Sequence, residues 1–148
     1  MTLGSVIKRC RKIRHLAMKH LGLAVGYTEK NAISHIANYE SDHIVPNKKM
    51  KKRLASVLGI SEYAISVPSL KTDIEIMHTL FKLDSIMPVT VGEYEEQIFM
   101  FAMPQTDKTK EYFKAWIEKQ NELRQGIITL EDYDLWKYGF EGTADGGI

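Results

Sequence analysis

The chain has 148 residues, 44% of them hydrophobic, and a net charge of +1. That apolar content can build a core and excludes disorder by composition. No apolar run approaches the ~20 residues of a membrane-crossing helix. The first residues lack the apolar stretch of a secretory signal, and the single cysteine, Cys10, excludes an internal disulfide. A cytoplasmic protein with no membrane partner is the expectation.

The first predicted element is a helix over residues 3–14, with Leu3, Val6, Ile7, Cys10 and Ile13 on one face and Lys8, Arg9, Arg11, Lys12 and Arg14 around it. Cys10 falls in the apolar stripe and is expected to be a buried thiol. A short helix over 16–25 follows, stopped by Gly26. After a loop over 27–30, residues 31–40 form a third helix with Asn31 as N-cap. Ile33, Ile36 and Tyr39 make its apolar stripe, beside Ala32 and Ala37, and Ser34, His35 and Asn38 lie opposite. Pro46 suits the first turn of the fourth helix, whose core face is Met50, Leu54, Val57 and Leu58. Gly59 ends it, and Ser61 caps a last short turn through Ile65. About five short helices in this half make a compact all-α domain. Pro68 marks its end, since proline disfavours helix in the residue before it.

The second half reads differently. Thr72 or Asp73 caps a helix to about residue 85, in which His78 is expected as a core histidine. Val89-Thr90-Val91 and residues 97–103 read as strands around a loop at 92–96. The second strand is apolar on both faces, so both are expected to be covered. A helix over 107–125 carries Tyr112, Phe113, Trp116, Ile117 and Leu123, closed by Gly126. Thr129 and Asp132 have the spacing of a capping box, with Ile128 and Tyr133 as its staple. The last helix therefore starts at Leu130 and carries Tyr133, Trp136 and Phe140.

Charge divides along the same line. Residues 1–68 carry 12 Lys/Arg against 4 Asp/Glu, a balance of +8, while residues 69–148 carry 8 against 15, a balance of −7. The first half suits a polyanion, and the second should avoid one. Lys48, Lys49, Lys51, Lys52 and Arg53 form the densest basic run. Ser34, His35 and Asn38 are small polar donors and acceptors of the kind that read base edges from a groove. Lys30 and Asn31 lie at the groove edge in that arrangement, and Lys48 and Lys49 fall beside the phosphate backbone.

The spread of Ile7-Lys8-Arg9-Cys10-Arg11, Leu16, Leu21-Gly22, Gly26, Ile36, Tyr39-Glu40, Pro46, Leu54-Ala55 and Leu58-Gly59-Ile60-Ser61 resembles the Cro and phage-repressor type of helix-turn-helix, the xenobiotic-response-element family. The resemblance covers residues 3–66. It implies a five-helix DNA-binding fold whose third helix enters the major groove, with a structural ion pair at Arg11 and Glu40. Four positions depart from the family pattern. Ala17 and Met18 stand where Ser or Thr and Gln usually open the second helix, Gly22 stands where Ala is common, the turn before Ile36 is longer, and Asp42 replaces a Gly. The C-terminal half resembles no named family, although residues 126–137 look like short helical tails of bacterial oligomerising modules.

The fold expectation is mainly α, with a helix-turn-helix domain at 1–68 and a small α+β domain at 69–148 containing a β-hairpin and about three helices. The function expected is a sequence-specific transcriptional regulator, a dimeric repressor acting by operator occupancy on double-stranded DNA. Two alternatives stay open: an antitoxin-type module whose C-terminal half binds a protein, and an interaction module that has lost DNA binding. A small effector at residues 69–148 is also compatible. No enzyme is expected: His15, His20, His35, His43 and His78 lack metal-ligand spacing, and there is no nucleophile motif or phosphate loop. No cofactor or metal is implied.

Overall fold

The computed structural model of the chain describes residues 2–67 and 70–142. It is mainly helical, with one two-stranded antiparallel sheet. In chain order the elements are α1 Leu3–Ile13, α2 Met18–Ala24, α3 Ala32–Glu40, α4 Lys48–Leu58, a 3-10 turn Glu62–Ile65, α5 Asp73–Asp84, β1 Val89–Tyr94, β2 Gln97–Ala102, α6 Asp107–Arg124 and α7 Leu130–Gly139. Among the described residues no helix is long and apolar enough to cross a membrane. The predicted boundary residue Pro68 lies outside the described residues.

Local chemistry accounts for most element ends. Thr2 and Ser5 form a reciprocal capping box on α1, and Asn47 caps α4 by accepting from the Met50 N–H. Pro46 therefore sits one residue before the cap rather than in the first turn, and it is buried there. Gly59 closes α4 at φ 61, the left-handed conformation that glycine adopts without a Cβ clash. Thr72–Glu75 and Thr129–Asp132 are capping boxes on α5 and α7. Side-chain oxygens and backbone N–H groups satisfy each other there, at about 1 kcal/mol per cap.

The main core is built from α1 to α4 and the 3-10 turn. Ile7, Cys10, Leu21, Ile36, Leu54 and Leu58 are completely buried in it. Burial pushes the Cys10 thiol up to about 11, as expected of an inert buried thiol. One member of this core comes from the far end of the chain. Tyr138 of α7 packs among these residues, and its carbonyl accepts from the Ser61 N–H at 2.8 Å. Beside it Arg9 pairs with Asp134 at 3.0 Å. A smaller cluster joins α6 and α7 through Ala115, Tyr133 and Trp136.

The segment from α5 to β2 departs from expectation. The strands reach Tyr94 and start again at Gln97, so the loop expected at 92–96 shrinks to a two-residue turn with Glu95 and Glu96 at φ 47 and 63. That turn type matches the right-handed twist of a hairpin. The apolar strand β2 is not covered on both faces: Ile98 and Phe101 are 70% and 60% exposed. The chain supplies one helix for one face only, where α5 residues Met77, Leu80 and Phe81 meet Val89, Val91 and Met100. On the other face Phe99 leans on Phe101, ring centres 5.2 Å apart, and lies over Gly92, where a Cβ would collide with its ring. His78 is not a core residue either. No residue of α5 is buried, and His78 stands exposed with its ring edge-on to Phe81.

Candidate nucleic-acid interface

The position of α3 is set by close backbone contacts. A Cβ on Gly22 of α2 would lie 2.7 Å from the Ala32 Cβ and carbonyl oxygen, and one on Gly4 of α1 would lie 2.3 Å from the Tyr39 carbonyl oxygen. Both glycines let neighbouring helices approach α3 more closely than alanine would allow. At the far end of α3, Asp42 takes the left-handed conformation at φ 57, and its carboxylate accepts from the Gly4 N–H at 2.9 Å. A glycine at 42 could adopt that φ but could not make that bond.

Arg11 and Glu40 complete the clamp. The guanidinium donates through Nε to Glu40 Oε1 at 2.5 Å and through Nη2 to Oε2 at 3.0 Å, with Nη1 on the Leu16 carbonyl at 2.7 Å. Both residues are buried. The Glu40 carboxylate holds the Arg11 pKa above its ordinary value. A two-point pair of this kind fixes the angle between α1 and α3 as well as their distance.

Three residues of the longer turn and α3 form a ring cluster. The His35 ring stacks on Tyr27 with centres 4.1 Å apart and planes 9° from parallel, and the Tyr27 and Tyr39 hydroxyls share a hydrogen bond of 2.6 Å. Burial and that hydrogen bond push the Tyr39 phenol well above its ordinary range. The extra turn residues thus place Tyr27 beside α3, and one face of His35 is committed to it.

The outward side of α3 carries Ser34, exposed, and Asn38, half-buried, whose side-chain amide has no hydrogen-bond partner among the described residues. The Ser34 hydroxyl donates to the Asn31 carbonyl at 3.0 Å. Two expectations change here. Ile33 does not face the core; it is 53% exposed on the same side as Ser34. The buried stripe is Ala32, Ile36, Tyr39 and Glu40. Asn31 holds the N-cap position but makes no side-chain cap: its backbone is helical at φ −113 and ψ −12, not in the extended conformation from which a cap side chain reaches the N–H groups two and three residues on.

Basic residues precede and follow this helix in the chain. Lys30, Lys48 and Lys49 are exposed, and among the described residues none has an acidic partner. Arg53 donates to the Val25 carbonyl at the end of α2, and Lys52 approaches Glu62 at 3.9 Å. Ala17 makes no side-chain cap on α2, and Met18 packs against the core. The start of α2 therefore presents no polar group where the resembled family often does. No family model matches the chain, and neither a curated protein nor a solved structure matches it.

Sequence reasoning missed the outward turn of Ile33, the Tyr27 stack and the Gly4 contact. Gly22 and Ala32 were legible signals, since two small residues in neighbouring helices are what a close crossing requires.

Proposed function

We propose that the chain is a sequence-specific DNA-binding regulator of the helix-turn-helix type, with α3 as the helix in the major groove. The observation that carries this reading is the clamped helix itself. Arg11–Glu40, Gly22 and Asp42 fix the placement of α3, its outer side keeps an uncommitted Asn38 amide, and Lys30, Lys48 and Lys49 are exposed with no acidic partner among the described residues. Asn38 suits adenine, which an amide meets with two hydrogen bonds. Ser34 contributes one acceptor or donor, and His35 contributes a ring edge while its face rests on Tyr27. Ile33 suits a thymine methyl group, since apolar contact is how that group is read. Lys30 and Asn31 lie at the groove edge, with Lys48 and Lys49 on phosphates. Repression follows from occupying a promoter as a dimer. The exposed apolar face of α5 and the hairpin supports a pairing role for the acidic half, with recognition helices then about 34 Å apart on one duplex face.

The test is a binding titration against selected and random duplexes over a range of salt. Each phosphate contact contributes about 0.9 to the slope of log K against log salt. Replacing Lys48 and Lys49 by Ala is expected to weaken binding to both duplexes alike and to flatten that slope. Asn38→Ala is expected to cost about 1–3 kcal/mol on the selected site only. Equal losses on both duplexes for Asn38→Ala would take α3 out of the groove. Absence of salt-sensitive binding by the intact protein would leave the interaction-module reading in its place.

A further inference from the structure

The chain leaves α2 along a path set by its glycine. Gly26 takes φ 101, its N–H donates to the Leu23 carbonyl at 3.0 Å, and the Tyr27 N–H donates to the Gly22 carbonyl at 2.9 Å. Two such bonds around a positive-φ glycine fix the residue that follows it. Tyr27 is that residue, and it packs half-buried against the main core. Its side chain then spans one turn of α3. The ring stacks on His35 with centres 4.1 Å apart, and the hydroxyl bonds that of Tyr39, four residues further on, at 2.6 Å. Residues four apart are neighbours on one helix face. Tyr39 is 5% exposed, so the anchor is itself seated in the core. Tyr27 therefore holds His35 and is held by Tyr39.

The His35 side chain is half-buried and has no hydrogen-bond partner among the described residues. Neither of its ring nitrogens is a buried orphan; among the described residues only the Trp136 indole nitrogen is. Both nitrogens are thus open to solvent while the ring plane is fixed by the tyrosine. A neutral imidazole offers one N–H donor and one acceptor nitrogen, and base edges in the major groove present acceptors and donors to meet them. An unstacked histidine on a helix surface loses rotational freedom when it binds, which weakens binding. A stacked one has lost that freedom already in the folded chain.

We propose that Tyr27 is a positioning residue for base reading: its ring face holds the His35 imidazole in the plane in which a ring nitrogen meets one base edge. This role rests on the DNA-binding reading of α3, and it makes selectivity depend on a residue outside that helix.

The full chain is used to select a duplex from a random-sequence pool. Single base-pair variants of that duplex then locate the pair at which His35→Ala relaxes preference. Selectivity there is the ratio of affinities for the selected duplex and its variant. Tyr27→Leu keeps apolar bulk and removes the ring face. It is expected to lower the ratio about 3- to 10-fold. Random duplex, which is held through phosphates, is expected to be bound within about 2-fold of the unsubstituted chain. Tyr27→Phe keeps the stacking ring and is expected to retain most of the ratio. In a His35→Ala background, Tyr27→Leu is expected to lower the ratio no further, as befits a residue that acts through another. Without DNA, the ring-proton signals of His35 are expected upfield of those of exposed His15, and to move toward them in Tyr27→Leu.

No duplex preference in the intact chain would remove the DNA reading and this role together, before any substitution is made. With that preference present, the role alone is overturned by any of four results. These are no pair relaxed by His35→Ala, an unchanged ratio in Tyr27→Leu, equal losses in Tyr27→Phe and Tyr27→Leu, or a further loss in the His35→Ala background.

Discussion

The segments 2–67 and 70–142 carry similar apolar sequence and use it in opposite ways. In the first, Ile7, Leu21, Ile36, Leu54 and Leu58 are fully buried around glycine-tight helix crossings. In the second, α5 buries no residue at all, and Ile98, Phe101 and Trp116 are 70%, 60% and 43% exposed. The first half spends its apolar residues on holding one helix in place. The second keeps those of α5 and the hairpin at the surface, where apolar clusters of this extent mark binding faces more often than chance exposure does. Charge follows the same division, so the basic half is the rigid one and the acidic half the open one.

The largest test of this contrast is the buried ion pair. Glu40→Ala leaves the Arg11 guanidinium buried without its partner and is expected to cost about 3–5 kcal/mol. Removing Lys110, whose pair with Asp107 is exposed at 3.0 Å, is expected to cost less than about 0.5 kcal/mol. Urea unfolding of both variants, followed by circular dichroism, measures the difference. Comparable losses would mean the basic half is no more rigid than the acidic one.

Alkali should loosen the same core next. Burial raises the Cys10 thiol from 9.0 to about 11, and burial also raises the Tyr138 phenol from 10.0 to about 12. Both groups are neutral acids held protonated in the folded chain. Their contribution is complete below the unfolded pKa and is lost as pH rises through the folded one. For Cys10 the window is pH 9 to 11, and the loss amounts to roughly 2–3 kcal/mol. Unfolding midpoints at the two ends of that window give the slope, which should flatten in Cys10→Ala despite its lower starting stability. An unchanged slope would place the alkaline loss elsewhere.

Glycines sharpen the comparison further. Gly22→Ala forces a Cβ into Ala32 and is expected to cost about 1–3 kcal/mol through displaced helices. Gly126 closes α6 at φ 70 with nothing within 4 Å of a would-be Cβ. Gly126→Ala is therefore expected to cost only the left-handed conformation, about 1 kcal/mol. Thermal unfolding of the two variants ranks them, and a reversed order would contradict the tight α2–α3 crossing.

The smallest folding effect should come from the hairpin. Phe101→Ser changes an exposed side chain, and within a single chain it is expected to move stability by less than about 0.5 kcal/mol. If the acidic half pairs two chains, the same substitution shifts sedimentation toward monomer at fixed concentration. A loss of stability that does not depend on concentration would instead make Phe101 part of a single-chain core.

Much of the basic half was legible in its residues. Gly26 and Gly59 as stops follow from glycine's own freedom at positive φ, while the Arg11–Glu40 pair was implied by the resemblance to the Cro and phage-repressor type. Ile33 was misread because a nine-residue helix has two overlapping stripes at helical spacing. Ala32 faces inward instead, since only a small residue fits beside Gly22. In the acidic half, capping boxes and strands followed from local chemistry, but coverage did not. Strand β2 has the composition of a buried strand, and whatever covers it is not encoded in local periodicity. Tyr138 was illegible for a related reason: nothing near it in sequence says that it joins the core built from α1 to α4 and the 3-10 turn.

That last contact also orders events in time. Arg9 and Asp134 are 125 residues apart in sequence, so α1 waits for α7 to supply its partner. At about 5–20 residues per second, roughly 4–15 seconds separate synthesis of the 3-10 turn from that of Tyr138. Through that interval the Ser61 N–H lacks its acceptor, and the first core has an open flank. A nascent chain stalled before α7 is expected to be cut by protease faster within residues 2–67 than the released protein. Completion of α7, rather than of the basic half alone, is then the moment at which the first core closes on its flank.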